Sequence, residues 1–202
     1  VSRSGTGEDA LVIDPGEDPG RVEATLSAAG LRCVSILVTH AHFDHIGAVG
    51  PLARATGSPV YISSGEANLL LSPNDGLPPG FGPFEPYEAD VKLRGDEVFA
   101  VAGLTVRTHL APGHSPAGLV FAISDPDDGE AALFVGDVIF RGSVGRTDLA
   151  GGSWPTLRDS ILRLYRSCPL DAPVFSGHTP PTTLADELRS NPFLDEIRAA
   201  VR

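Results

Sequence analysis

A chain of 202 residues, 42% apolar and 20% charged, has the make-up of one globular domain spanning 1–202, and its length argues against two ordinary ones. The formal charge of −11, with a single lysine among 15 scattered basic residues, argues against a grip on nucleic acid, which needs clustered cations. No apolar run approaches the roughly 20 residues that span a bilayer, and the first nine residues lack a signal peptide's apolar core, so a cytoplasmic location without membrane attachment is expected, although the missing methionine leaves an upstream leader open.

In chain order, residues 10–14 form a short apolar run closed by Pro15-Gly16 and predict a buried strand and turn. Residues 19–29 set Val22, Leu26 and Ala29 at helical spacing with Gly30 as a stop. A strand at 34–39 delivers a histidine-rich loop at 40–45. A helix at 46–56, a strand at 59–62 and a helix at 65–71 complete a βαβαβα half. Residues 72–90, with Pro73, Pro78, Pro79, Pro83 and Pro86 beside Phe81, Phe84 and Tyr87, predict an irregular loop able to act as a lid. Strands follow at 97–100, 104–110, 119–124 and 131–135, the last two joined by a hairpin turn at 125–129. A helix at 154–166, a strand at 173–176 and a helix at 183–190 end the pass. Mixed elements in two halves predict two sheets face to face with helices outside. Cys33 and Cys168 match no zinc or redox spacing, and reduced, buried thiols are expected.

The chemistry concentrates in His40-Ala-His42-Phe-Asp44-His45, which puts three imidazoles and a carboxylate directly after a predicted strand. In an extended segment side chains i and i+2 point the same way, so His40 and His42 can close on one ion. Asp44 and His45 enter the next turn and can face a second. Imidazole and carboxylate donors without thiolate favour zinc or another first-row divalent ion, with a position left for water. His114 in Pro112-Gly-His-Ser-Pro116, Asp137 in Val135-Gly-Asp137 and His178 in Ser176-Gly-His-Thr179 each follow an apolar run and a glycine. The glycine lets the backbone turn sharply at a strand end, so all three can converge at one sheet edge. A lone histidine is usually a surface or core residue, and His109, inside a predicted strand, keeps that reading. Asp137 alone would read as a turn or cap; the company of five loop histidines out of six makes it a candidate ligand.

Together, His40-x-His42-x-Asp44-His45, His114, Asp137 and His178 resemble the metal motif of the metallo-β-lactamase superfamily over nearly the whole chain. The resemblance implies an α/β fold, the αββα sandwich of two mixed sheets flanked by helices, with the site at one edge. It implies a first metal on His40, His42 and His114, a second on Asp44, His45 and His178, and Asp137 bridging both. Two zinc ions are expected, with iron or manganese as alternatives. Ala111-Pro-Gly-His-Ser-Pro-Ala-Gly118, Gly136-Asp-Val-Ile-Phe140, Gly145-Arg-Thr-Asp-Leu149, Gly177-His-Thr-Pro-Pro-Thr-Thr183 and Asn191-Pro-Phe-Leu194 are similar to the short glyoxalase II-like branch, which implies hydrolysis of small-molecule thioesters of the S-lactoylglutathione type.

By that resemblance the metals lower the pKa of a bridging water and polarise the substrate carbonyl, and Asp44 both ligates and serves catalysis by orienting the nucleophile. Arg146 stands where the family offers a substrate-binding cation, and Asp148 where it has a tyrosine. Only 24 residues follow His178, where the longer enzymes carry a helical domain that grips glutathione. The family's opening strand would precede Val1. Three other readings stay open. One is a mononuclear-iron persulfide dioxygenase of the same superfamily, which shares a Gly-Arg-Thr-Asp stretch and would use His40, His114 and Asp137. Another is a lactonase or β-lactamase. The third is a metal-binding module that docks a partner through residues 72–90.

Overall fold

The computed structural model describes residues 1–3, 7–127, 129 and 131–201; residues 4–6 of the N-terminal segment and Asp128 of the expected hairpin turn lie outside the described residues. The chain gathers into two compact units, one of residues 1–94 with 100–104, the other of residues 95–99 with 105–202.

The first unit is built on a four-stranded parallel sheet in the order β1 (Asp9–Ile13), β2 (Arg32–Leu37), β3 (Val60–Ser63), β4 (Val91–Leu93). Parallel strands need crossovers and burial on both faces, which is why Ile36 and Leu37 are fully buried together with Val60 and Ile62. The first crossover is helix α1 (Pro19–Ala28), whose Asp18 cap accepts from Arg21 N at 3.0 Å and whose Pro19 sits in the first turn. The helix expected at 46–56 is two pieces, α2 (Phe43–Ile46) and α3 (Val49–Thr56). They divide at Gly47, where an added Cβ would lie 2.7 Å from the Phe84 ring. Gly57, at φ +68°, closes α3 in the left-handed conformation. Residues Ala67–Leu71, expected as an α-helix, form a 3₁₀ helix. Strand β4 escaped prediction because three residues with one fully buried side chain carry no readable period.

A second, mixed sheet has six strands in the order β12, β11, β8, β7, β6, β5. Its strands are β5 (Val98–Val101), β6 (Leu104–Leu110), β7 (Leu119–Ser124), β8 (Ala131–Gly136), β11 (Pro173–Ser176) and β12 (Thr182–Thr183). β6, β7 and β8 run antiparallel in turn, and β11 is parallel to β8. Two short strands, β9 (Ile139–Phe140) and β10 (Ser143–Val144), form a separate antiparallel ribbon. Helix α4 (Trp154–Ser167) buries Leu157, Ser160, Ile161, Leu164 and Tyr165, a stripe with helical spacing. Leu157, Ile161, Leu164 and Tyr165 pack into one core with Leu133, Val135, Leu184 and Ile197, the last two contributed by α5 (Leu184–Ser190) and α6 (Asp195–Val201). The chain is therefore mixed α/β, as the alternating patterns predict. No helix among the described residues is long and apolar enough to cross a membrane. Both cysteines are free and buried.

Candidate metal centre

In the first unit the donors are organised by Asp14, which follows β1 with φ +45°, a left-handed conformation that aspartate tolerates better than most residues. Its Oδ1 accepts from Thr39 N at 2.7 Å, and its Oδ2 accepts from the Thr39 hydroxyl at 2.6 Å and from Nδ1 of His45 at 2.8 Å. With its proton on Asp14, the Thr39 hydroxyl oxygen accepts from Nδ1 of His40 at 3.0 Å. Fixing the proton on Nδ1 leaves Nε2 of His40 and His45 as the nitrogens able to bind a cation. Nε2 of His40 stands 3.1 Å from Nδ1 of His42. Two imidazole nitrogens bound to one tetrahedral ion at about 2.0–2.1 Å stand roughly 3.3 Å apart, so the pair fits a shared cation.

Asp44 and His45 lie on the short α2, with Oδ2 of Asp44 3.9 Å from Nε2 of His45 and the aspartate side chain 30% exposed. Donor atoms of Asp14, His40 and His45 also lie within 4.8 Å of one another. The Asp14 oxygens also accept from Thr39 and His45, so Asp14 orients the His45 ring directly and the His40 ring through Thr39. Glu66, buried behind the motif, accepts from Ala41 N at 2.7 Å.

In the second unit the chain turns after β6 at Gly113, φ +128°, where an added Cβ would sit 2.2 Å from Leu157 N on α4. The same helix holds the loop through Ser160, whose hydroxyl donates to Pro112 O at 2.7 Å, and Ser153 N donates to Gly113 O at 2.7 Å. His114, buried, donates from Nδ1 to the Arg146 carbonyl at 2.8 Å, which leaves its Nε2 3.6 Å from Oδ2 of Asp137. Nε2 of His178 is 3.3 Å from the same oxygen. One carboxylate oxygen facing two imidazole nitrogens, with one ring's proton held elsewhere, is the arrangement of a shared anionic ligand.

Residues 139–145 are held by groups the sequence reading did not assign. Asn191, fully buried, donates from Nδ2 to Ser143 O at 2.8 Å and to Phe140 O at 3.3 Å. Glu187 accepts from Gly142 N at 2.8 Å and from the Thr182 hydroxyl at 2.6 Å. At Gly145 an added Cβ would lie 1.8 Å from the Asp137 carbonyl oxygen and 3.1 Å from Cγ of His114.

The four predicted donors of the first unit thus come together, as do the three of the second. Arg146 joins them through its carbonyl only. Its guanidinium makes a two-pronged pair with Asp148 at 2.7 Å, exposed to solvent, and that hydrogen-bonded pairing lowers the Asp148 pKa to about 2. His109 stands apart, 3.7 Å from the Cys168 thiol, and burial pushes the imidazole's pKa down and the thiol's up.

The family model of the metallo-beta-lactamase superfamily matches residues 3–178. "Probable metallo-hydrolase YqgX" of Bacillus subtilis (strain 168) is 35% identical over 193 residues, covering 93% of this chain and 88% of that protein. "Hydroxyacylglutathione hydrolase GloC" of Haemophilus influenzae is 29% identical over 191 residues, covering 93% and 88%. Among solved structures, the BLEG-1 B3 metallo-beta-lactamase superposes with a TM-score of 0.86 at 34% identity, covering 96% of this chain and 92% of that one. TTHA1623 in a di-iron-bound form gives 0.71 at 38% identity, covering 90% and 88%.

Proposed function

This chain belongs to the metallo-β-lactamase superfamily, and on that premise we propose that it hydrolyses small hydroxyacyl thioesters with a pair of divalent cations, zinc in the first place. His40, His42 and His114 would hold one ion and Asp44, His45 and His178 the other, with Asp137 available to both. The observation that carries the reading is the single Asp137 oxygen faced by Nε2 of His114 at 3.6 Å and of His178 at 3.3 Å. A pair of cations supplies Lewis acidity toward a carbonyl and lowers the pKa of a coordinated water.

The residues themselves do the rest. Asp14 and the Arg146 carbonyl hold protons on the outward nitrogens of His45 and His114, so the inward nitrogens stay available. Asp44, partly exposed, orients the attacking water and takes its proton. A thiolate, with a parent pKa near 8.5, departs without a strong general acid. Arg146 meets a carboxylate of the thiol carrier once the exposed pair with Asp148 opens. Residues 72–90 act as a lid: Phe81, 44% exposed, rests against Phe43 of the ligand motif with ring centroids 4.7 Å apart.

A mononuclear-iron dioxygenase would leave Asp44, His45 and His178 idle, which favours the two-cation reading. The relative named as a hydroxyacylglutathione hydrolase supports a thioester substrate, and the likeness to a B3 metallo-beta-lactamase at 34% identity makes a β-lactam the substrate to test against it. The test is metal analysis of the purified protein with a panel of S-lactoylglutathione, other acyl thioesters, a lactone, a β-lactam and a persulfide. Two metals per chain with thiol release are expected. One iron per chain with oxygen uptake, or turnover of the lactone or lactam without thiol release, would overturn the proposal.

A further inference from the structure

Glu66 lies between β3 and the 3₁₀ turn at Ala67–Leu71, is 1% exposed, and accepts from Ala41 N at 2.7 Å. A carboxylate is costly to bury, so its place in a core is informative. Ala41 is the residue between His40 and His42, and its side chain packs on the core of the first unit. Two residues earlier, Thr39 N is held by Asp14 at 2.7 Å. The backbone of the ligand segment is therefore pinned at alternate N–H groups by two carboxylates from different loops.

Those two anchors flank His40 and fix the direction of the chain through it. The convergence they protect is narrow. His40 reaches the common point with Nε2 and His42 with Nδ1, at 3.1 Å from each other, so the two rings extend from the backbone to different lengths. A shift of the Ala41 peptide by the length of one methylene would change the spacing of the two nitrogens.

We propose that Glu66 is a positioning residue for the metal centre, setting the His40–His42 donor pair through the Ala41 N–H. The assignment rests on the metal-binding reading of those histidines. Its essential property is an acceptor at a fixed reach, which separates it from a role for negative charge. Glu66→Gln keeps the reach and an acceptor oxygen but loses the charge. Glu66→Asp keeps the charge and falls one methylene short. Glu66→Ala loses both.

The experiment titrates the metal-free proteins with zinc against a chelating competitor and records the visible spectrum after loading with cobalt(II), alongside the thermal midpoint of each metal-free variant. Glu66→Gln is expected to bind close to wild type. Glu66→Asp and Glu66→Ala should weaken one metal equivalent by about 10- to 100-fold, the range for partners that orient metal ligands, with an altered cobalt spectrum. The assignment is overturned if Glu66→Asp matches wild type while Glu66→Gln is weak, because charge would then be the operative property. It is equally overturned if the variants lose thermal stability with unchanged affinity and spectrum. A wild-type protein that takes up no metal overturns the metal-centre reading as well, and is distinguished by the wild-type titration alone.

Discussion

Gly145→Ala tests the geometry of the second unit most directly. The added methyl would stand 1.8 Å from the Asp137 carbonyl oxygen, where real Cβ atoms essentially never approach closer than 3.0 Å. Relief requires a separation of more than about 1 Å, and both neighbours matter. Moving the Asp137 backbone carries the carboxylate with it. Moving residues 145–146 withdraws the carbonyl that accepts from His114 Nδ1 at 2.8 Å. Misplacing a reacting group by about 1 Å costs on the order of 100-fold in rate, and overpacking typically costs about 1–3 kcal/mol of stability. The expected result is a fall of about 100-fold in thioester hydrolysis with reduced metal content. Gly142→Ala is the control: its φ of +75° adds a backbone strain that Gly145 does not have, but nothing lies within 4 Å of its added Cβ, so it should lower the thermal midpoint and spare activity. Measuring kcat/KM, metal content and unfolding for both variants checks the argument. A Gly145→Ala protein with both metals and nearly unchanged kcat/KM would refute it.

Asp137→Ala should abolish hydrolysis and lower metal content, whereas His109→Ala should do neither; metal analysis and a thiol-release assay decide, and equal effects would count against the ligand assignment. His109 also gives a pH signature. Burial, assisted by Arg107, holds its folded-state pKa below the ordinary 6.5, so the unfolded chain takes up that proton first and stability falls as pH drops from about 6.5 toward the folded value. Urea unfolding at about pH 7.5 and about pH 5.5 should show a larger acid loss for wild type than for His109→Gln, and parallel losses would remove burial as the cause.

The donor clusters were legible because their chemistry and spacing are local: three imidazoles and an aspartate between 40 and 45, and single donors after glycines at strand ends. The long strands were legible for a similar reason. β6, β7 and β11 have the bounds the apolar pattern gives, whereas β4, β9, β10 and β12 are two or three residues long and offer no period to read. The break between α2 and α3 was hidden because it is a local departure at Ala48, φ −94° and ψ 0°, which no residue type in that stretch announces. Asp14, Glu66, Glu187 and Asn191 were hidden for a different reason. Asp14 looks like an ordinary turn residue before Pro-Gly, and Glu66 like a helix-start glutamate. Their function appears only when Thr39, His45 and Ala41 are found on their oxygens. Gly145 and Asn191 stood inside stretches that supported the family resemblance, but nothing in their identity said what they touch.

Position 146 shows how such a site separates what is fixed from what is free. Its carbonyl holds His114 in one tautomer, a duty any residue's backbone can perform. Its side chain points away into an exposed pair with Asp148 and has no part in holding the donors. Substitution there can therefore alter how substrate is met without disturbing the metal ligands, while the neighbouring Gly145 tolerates no side chain at all. The same division holds at the ligand motif: Asp14 and Glu66 grip main-chain N–H groups at 39 and 41, leaving Phe43 to face Phe81 of the 72–90 loop. The donor clusters are held by backbone and buried carboxylates, and the groups left to distinguish substrates are exposed side chains. A common donor set can then serve different chemistries in one superfamily, and on the proposed thioester reading the acyl and thiol preference is to be sought in Arg146, Asp148, Phe43 and Phe81 before the donors themselves.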